Sequence, residues 1–281
     1  SRRVRILFVG DVVGKPGRRI LATRLANLQT THDVDFTVVN AENVAAGRGI
    51  TPELSDEILA MGVDVLTSGN HIWAQRGIEQ YLNDEPRLLR PANYPPGAPG
   101  AGVFHGRTRD GHPVHVINLQ GRVFMPELEC PFQALDDIVG VDIDLPATIL
   151  LDFHAEATSE KQAMGWHADG RISAVIGTHT HVQTADARLL PNGTAYCTDV
   201  GMTGALDSII GTRVDLALSR FLTSRPVRFQ VAKANPRISY ALIDIDTASG
   251  RATAIEARYD PPGALHIMEP GDPGIAARIF D

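Results

Sequence analysis

A chain of 281 residues, 43% hydrophobic and 21% charged, carries enough apolar material for one large domain with a sizeable core. Its formal charge of −7 excludes a basic footprint for a long nucleic-acid backbone. A small nucleotide stays compatible with that charge if metal ions supply the positive charge locally. The two cysteines, Cys130 and Cys197, form no disulfide framework and are expected to be buried thiols in a reducing compartment.

Arg2, Arg3 and Arg5 lead into Ile6-Leu7-Phe8-Val9, a run too short for a leader or a membrane span and cut off by Gly10-Asp11. It reads as the end of a first strand, Val4–Val9, in a protein expected to be cytoplasmic. Ile20, Leu21, Leu25 and Leu28 recur at helical spacing and predict a helix over Lys15–Thr31. Asp35–Val39 reads as a second strand. Thr51-Pro52-Glu53 opens a second helix, with threonine placed to cap it and proline at its first position. Val63–Leu66 is a third strand, followed by a helix over Ile72–Leu82. The proline- and glycine-rich stretch Arg90–Gly102 is a loop that could act as linker or lid. Val114–Leu119 and Ala147–Phe153 are strands, with helices over Phe132–Val139 and Glu156–His167. Ile172–Ile176 is a further buried strand. Ala187–Leu190, Thr194–Thr198, Ile238–Ile245 and Ala252–Arg258 add β structure around a helix near Asp215–Leu222.

Alternation of strands and helices in the first half predicts α/β architecture with right-handed crossovers. The β-rich second half calls for a second, mixed sheet. In such folds ligand-binding groups gather beyond the carboxyl ends of the strands. Five strand ends here carry groups able to bind a metal: Asp11; Glu42 with Asn43; Asn70 with His71; His154; and His179 with His181 in Gly177-Thr178-His179-Thr180-His181. Gly177 is expected to let the backbone turn as its strand ends, and the two histidines to share one side of an extended segment. Each group alone has a plain reading as a cap, turn former or polar edge. Together they exceed what one four-coordinate ion needs and suit two ions sharing a carboxylate.

The stretches Phe8-Val9-Gly10-Asp11-Val12-Val13-Gly14-Lys15, Asn40-Ala41-Glu42-Asn43, Gly69-Asn70-His71, Phe153-His154-Ala155-Glu156-Ala157-Thr158-Ser159-Glu160-Lys161, Gly177–His181 and Thr198-Asp199-Val200-Gly201-Met202-Thr203-Gly204 resemble the calcineurin-like metallophosphoesterases, most closely their YmdB-like branch. The resemblance covers nearly the whole chain. It implies a four-layer αββα sandwich of two mixed sheets flanked by helices, a single domain over residues 1–281 with a small helical portion inside it. It also implies two divalent metal ions. Asp11, Asn43 and His181 would hold one and Asn70, His154 and His179 the other, with Glu42 bridging and His71 as a non-ligand general acid. The implied reaction is hydrolysis of small cyclic nucleotides, 2′,3′-cyclic first and 3′,5′-cyclic as a wider range, by a metal-bridging hydroxide. Other readings are a phosphomonoesterase or nucleotidase, and a regulatory nucleotide-binding protein with incidental turnover.

Two positions depart from the wider superfamily. Val13 stands where it usually has a histidine, and Glu42 where it usually has a bridging aspartate. One imidazole fewer and one oxygen more favour harder ions, iron or manganese first, then magnesium or zinc. Expected partners are a small nucleotide diester and further copies of the chain as a homo-oligomer, with no long nucleic acid and no membrane. Phe124-Met125-Pro126 and Ile72-Trp73 are candidates for exposed apolar surface. Arg122, Lys161 and Thr203 could touch phosphate, each against a structural reading, and Tyr94 could stack on a base. Asp152 is assigned to the side of its strand opposite His154. The remaining histidines, His32, His105, His112, His115, His167 and His266, read as surface or structural.

Overall fold

The apolar run Ile6-Leu7-Phe8-Val9 is buried on both sides, which a strand needs only when layers cover both faces of its sheet. In the computed structural model, which describes residues 2–262, that strand is β1 (Arg3–Val9) at the middle of a seven-stranded sheet. β1 runs parallel to β3 (Phe36–Asn40), which runs parallel to β4 (Val65–Thr67). On its other side it pairs antiparallel with β12 (Pro236–Asp246), from Arg3 opposite Asp246 to Val9 opposite Tyr240. β12 also pairs with β13 (Ala252–Asp260), and through β11 (Met202–Ala205) reaches β2 (Asp11–Val12). The second sheet has six strands in the order β5 (Val103–Arg107), β6 (Pro113–Gln120), β7 (Thr148–His154), β8 (Ala174–Thr178), β10 (Ala195–Cys197), β9 (Arg188–Leu189). Within it β6, β7, β8 and β10 are parallel.

Three clusters of buried side chains separate four layers. Leu21, Leu25 and Leu28 of α1 (Gly14–Thr31) and Ile58 of α2 (Pro52–Leu59) pack on one face of the first sheet. Ile6, Phe8 and Val38 meet Val116, Leu150 and Ile176 between the sheets. Leu135 of α4 (Pro131–Val141) and Met164 of α5 (Thr158–Ala168) cover the far face of the second sheet. The result is the expected αββα sandwich. Thr51 caps α2 by accepting from the Leu54 N–H at 3.2 Å, with Pro52 at the first helical position, as its sequence demands.

Several expectations are corrected. The segment after β4 is helical only as α3 (Ile78–Asp84), because 71–77 form turns and Gly77 enters the helix in a left-handed conformation, φ 79°. Ile72 is fully buried inside those turns, not exposed, whereas Phe124 is 88% exposed. The loop at 90–102 is fastened to the fold rather than a free linker: the buried Arg90 guanidinium donates to the carbonyls of Pro91, Ala98, Pro99 and Gly100. Gly177 lies in extended β8 rather than at a turn. A Cβ there would fall 1.7 Å from the Thr198 carbonyl oxygen, so close approach is what demands glycine. Cys197 is buried, but Cys130 is only half-buried. Residues 206–235, between β11 and β12, carry α6 (Val214–Thr223), which buries only Ala217 and exposes Leu218, Phe221 and Leu222. His266 and the chain beyond residue 262 lie outside the described residues. No helix among the described residues is long and apolar enough to cross a membrane.

Asp152 also faces the opposite way from the expectation, because residues two apart on a strand share a face and Asp152 therefore points with His154. Its fully buried carboxylate accepts from Asn40 Nδ2 of β3 at 2.8 Å, from the Thr67 hydroxyl of β4 and from the Thr178 hydroxyl of β8 at 2.6 Å. Burial pushes its pKa up to about 6, against the opposing pull of His154 and those three donors. Asp152→Ala would strand those buried donors at about 1–3 kcal/mol each. The metal-free variant should therefore lose several kcal/mol of stability in chemical denaturation, and an unchanged midpoint would contradict this.

Candidate metal centre

The carboxyl ends of the parallel strands of both sheets open on the same side, and the candidate residues meet there. The first sheet delivers oxygen donors: Asp11 just after β1, Glu42 and Asn43 after β3, and Asn70 with His71 after β4. The second delivers imidazoles: His154 as the last residue of β7, and His179 and His181 beyond β8. His179 and His181 are not on an extended segment. Both have left-handed backbones, φ 99° and 68°, a conformation that strains any residue with a side chain.

Two groups of donors result. In one, His181 Nε2 is 3.3 Å from Asp11 Oδ2 and 3.3 Å from Asn43 Nδ2. In the other, His154 Nε2 is 3.0 Å from Asn70 Oδ1 and 3.1 Å from His179 Nδ1. The fully buried Glu42 carboxylate touches both, 2.8 Å from His154 Nε2 and 3.3 Å from Asn43 Nδ2. Donor atoms of Glu42, His154 and His179 lie within 4.8 Å of one another, close enough to share an ion. His71 sits at the edge: its N–H donates to Glu42 Oε2 at 3.0 Å, and its Nδ1 is 2.7 Å from Asn43 Oδ1. A half-turn of the Asn43 amide would swap its oxygen toward His181 and its nitrogen toward His71. All eight predicted site residues thus converge.

The ring orientations are set from outside. Thr178, whose hydroxyl donates to Asp152, accepts from His154 Nδ1 at 2.8 Å, which leaves Nε2 facing the site. His179 Nε2 contacts Glu156 Oε2 at 2.6 Å, so its Nδ1 faces inward. His181 Nδ1 donates to the Ile210 carbonyl at 2.9 Å. Gly69 makes room for the His154 ring, since a Cβ there would fall 2.0 Å from Cδ2. Of these supports Asp152, Glu156 and Ile210 escape a motif reading. The alternation of β7 was the signal for Asp152, and the two-residue spacing from His154 the signal for Glu156. Ile210 offered none.

Charge makes the donor set a demanding one. Burial works against ionising Asp11, yet its hydrogen bond with His181 and the charges of nearby histidines hold it at about 2. Glu42, equally buried, is also held low, chiefly by His154. Burial opposes charge on His154 and His181 too, but Glu42 and Asp11 respectively push each up to about 9. Burial and the charge on His154 push His179 down to about 4. Two buried carboxylates are therefore tolerated only because positive charge lies against them. Asp11 Oδ1 is buried without a hydrogen-bond partner. An unpaired carboxylate oxygen, a shared carboxylate and inward imidazoles fit divalent metal ions.

The comparisons with known proteins agree with this chemistry. Residues 7–257 match the family of YmdB-like proteins. The chain belongs to that family. It is 48% identical to the 2′,3′-cyclic-nucleotide 2′-phosphodiesterase of Bacillus subtilis (strain 168) over 253 residues, 90% of this chain and 96% of that protein. A crystal structure of a hypothetical protein from Thermus thermophilus superposes with TM-score 0.84 at 40% identity, covering 91% of this chain and 98% of that one. The crystal structure of a Mycoplasma pneumoniae protein described as a novel phosphatase superposes with TM-score 0.85 at 31% identity, covering 92% and 93%.

The structure also places the remaining candidate residues. Val13, in place of a histidine, is buried and points at Gly211 rather than into the site. Lys161 and Thr203 are buried and tied to protein groups, so neither is free to meet phosphate. Arg122 presents its backbone N–H to the Glu160 carboxylate at 3.0 Å. Since Glu42 is the carboxylate common to both donor groups, Glu42→Ala should lose bound metal from both. Elemental analysis of the purified variant beside the parent checks this; retention of the full metal content would remove Glu42 from its central place.

Proposed function

We propose that the chain is a phosphoric ester hydrolase using two divalent metal ions to cleave small nucleotide phosphodiesters, 2′,3′-cyclic nucleotides first and 3′,5′-cyclic ones as a wider range. The observation that carries this reading is the Glu42 carboxylate in contact with both donor groups. Asp11, Asn43 and His181 would hold one ion and Asn70, His154 and His179 the other, with Glu42 between them. When bound, the ions would supply an acidified water and charge for the phosphoryl oxygens. Iron or manganese suits the oxygen-rich donor set best.

The chain's own groups do the rest. His71 is anchored through its backbone N–H to Glu42 and through Nδ1 to Asn43, which leaves Nε2 to bring a proton to the leaving oxygen. Burial holds its pKa below the ordinary value against the pull of Glu42, so a proton on it is given up readily. Trp73, two residues further along the same turn, meets Tyr94 edge to face with ring centroids 5.4 Å apart. The Tyr94 hydroxyl donates to Gln120, whose register partner is His154. This aromatic pair offers a surface for a nucleobase beside the ester. The name of the Bacillus subtilis relative supports the diester reading.

His71→Ala should keep both ions and lose turnover by about 10²–10⁴-fold, with little change in KM. Metal content and steady-state kinetics measured on one preparation check it; wild-type turnover in the metal-loaded variant refutes the general-acid role. Assayed at equal metal loading, the wild-type enzyme should favour 2′,3′-cyclic nucleotides over the corresponding monoesters. A strong monoester preference would turn the assignment toward a nucleotidase, and tight ligand binding without hydrolysis toward a regulatory protein.

A further inference from the structure

Lys161 of α5 and Asp199, which follows β10, are both fully buried and touch none of the donor atoms of the site. Lys161 Nζ lies 2.9 Å from Asp199 Oδ2. A buried ion pair contributes little to stability, because desolvating both charges offsets most of their attraction. Its other contacts are more telling. Asp199 Oδ2 accepts from the Thr180 N–H at 3.0 Å and from the Thr180 hydroxyl at 2.7 Å, while Oδ1 accepts from the Gly201 N–H at 2.7 Å. Asp199 is itself braced through its own N–H, which donates to the Thr184 hydroxyl at 3.0 Å.

Thr180 is the residue between His179 and His181. Both histidines hold left-handed backbones, which survive only where the surroundings enforce them. Glu156 and the Ile210 carbonyl steer the two rings, while the backbone is held by the His179 N–H donating to Asp11 Oδ2 at 3.1 Å and by the bonds from Thr180 to Asp199. The Lys161 stem seals the arrangement from β8, since a Cβ on Gly177 would fall 3.2 Å from its Cδ.

We propose that the Lys161–Asp199 pair is a positioning device: it grips Thr180 and thereby sets the spacing of His179 and His181, one histidine for each donor group. The proposal rests on the metal reading of the site given above. Asp199 supplies the acceptor, and Lys161 holds that acceptor in place where both are buried. The neutral double variant Lys161→Met/Asp199→Asn removes both charges and leaves one amide oxygen for Thr180, with the amide nitrogen set against the Gly201 N–H.

The test is manganese affinity at 25 °C, measured on metal-free wild-type protein and on variants whose circular dichroism shows them folded. Asp199→Ala should bind manganese about 10–100-fold more weakly, the range for losing a group that orients a metal ligand. Thr180→Val, which keeps the Lys161–Asp199 contact and removes the hydroxyl that donates to Asp199 and accepts from Lys161, should weaken binding in the same direction by less. The neutral double variant should bind more tightly than Asp199→Ala, because one acceptor for Thr180 is restored. Should Asp199→Ala fail to fold, Thr180→Val and the double variant decide alone. Wild-type affinity in folded Asp199→Ala or Thr180→Val, or a double variant as weak as Asp199→Ala, would overturn the proposal. Wild-type protein that takes up no divalent ion would overturn the metal reading itself, an outcome separate from an unaltered variant beside a metal-binding parent.

Discussion

The hydrogen bonds converging on the Asp152 carboxylate are what the site depends on. Asn40, Thr67 and Thr178 reach it from β3, β4 and β8, while Asp152 itself belongs to β7. Two of those strands belong to each sheet, so one buried group pins the carboxyl ends of both. The pinning is directional where apolar packing between the sheets is not. Asn40 also accepts from the Glu42 N–H at 3.2 Å, and Thr178 also holds His154 Nδ1. The same network therefore aims a carboxylate from one sheet and an imidazole from the other at each other across 2.8 Å.

This division of labour explains the electrostatics. Among the candidate donors, both carboxylates come from the first sheet, and the second contributes only imidazoles. Acids and bases are brought together by the packing of layers rather than by neighbours in sequence. The buried acids and the imidazoles against them shift one another, His154 and His181 up and Asp11 and Glu42 down. A divalent ion would supply the same charge, and the Asp11 oxygen that lacks a hydrogen-bond partner is among the groups that would hold it.

Much of this was legible in the sequence, for definite reasons. Strand ends are local features, so Asp11, Glu42, Asn70, His154 and His179 could be found from apolar runs that stop at polar groups. The capped start of α2 was legible because both of its signals, Thr51 and Pro52, act within one turn. What escaped depends on contacts distant in the chain. The left-handed histidines are held by Asp199 and Ile210, 19 and 29 residues from Thr180 and His181. Gly177 reads as a turn residue until the Thr198 carbonyl is seen crossing it. The helix expected from Ile72 is lost to the turn that delivers His71 to Glu42, a tertiary contact overriding local pattern. Asp152 is different: the period of the strand was enough to place it.

The two departures from the wider superfamily are tied together by the same geometry. Glu42 is one methylene longer than aspartate, and its carboxylate spans from Asn43, beside it on the first sheet, to His154 on the second. Val13 turns away from the donors and packs under Gly211, where a Cβ would lie 3.1 Å from its Cγ1. Gly211 adjoins Ile210, whose carbonyl holds His181. The segment that covers Val13 therefore also steers the remaining imidazole of that donor group. A larger side chain at position 13 would press on this cover, which also carries the carbonyl that holds His181. The same 206–235 excursion thus both covers Val13 and fixes His181.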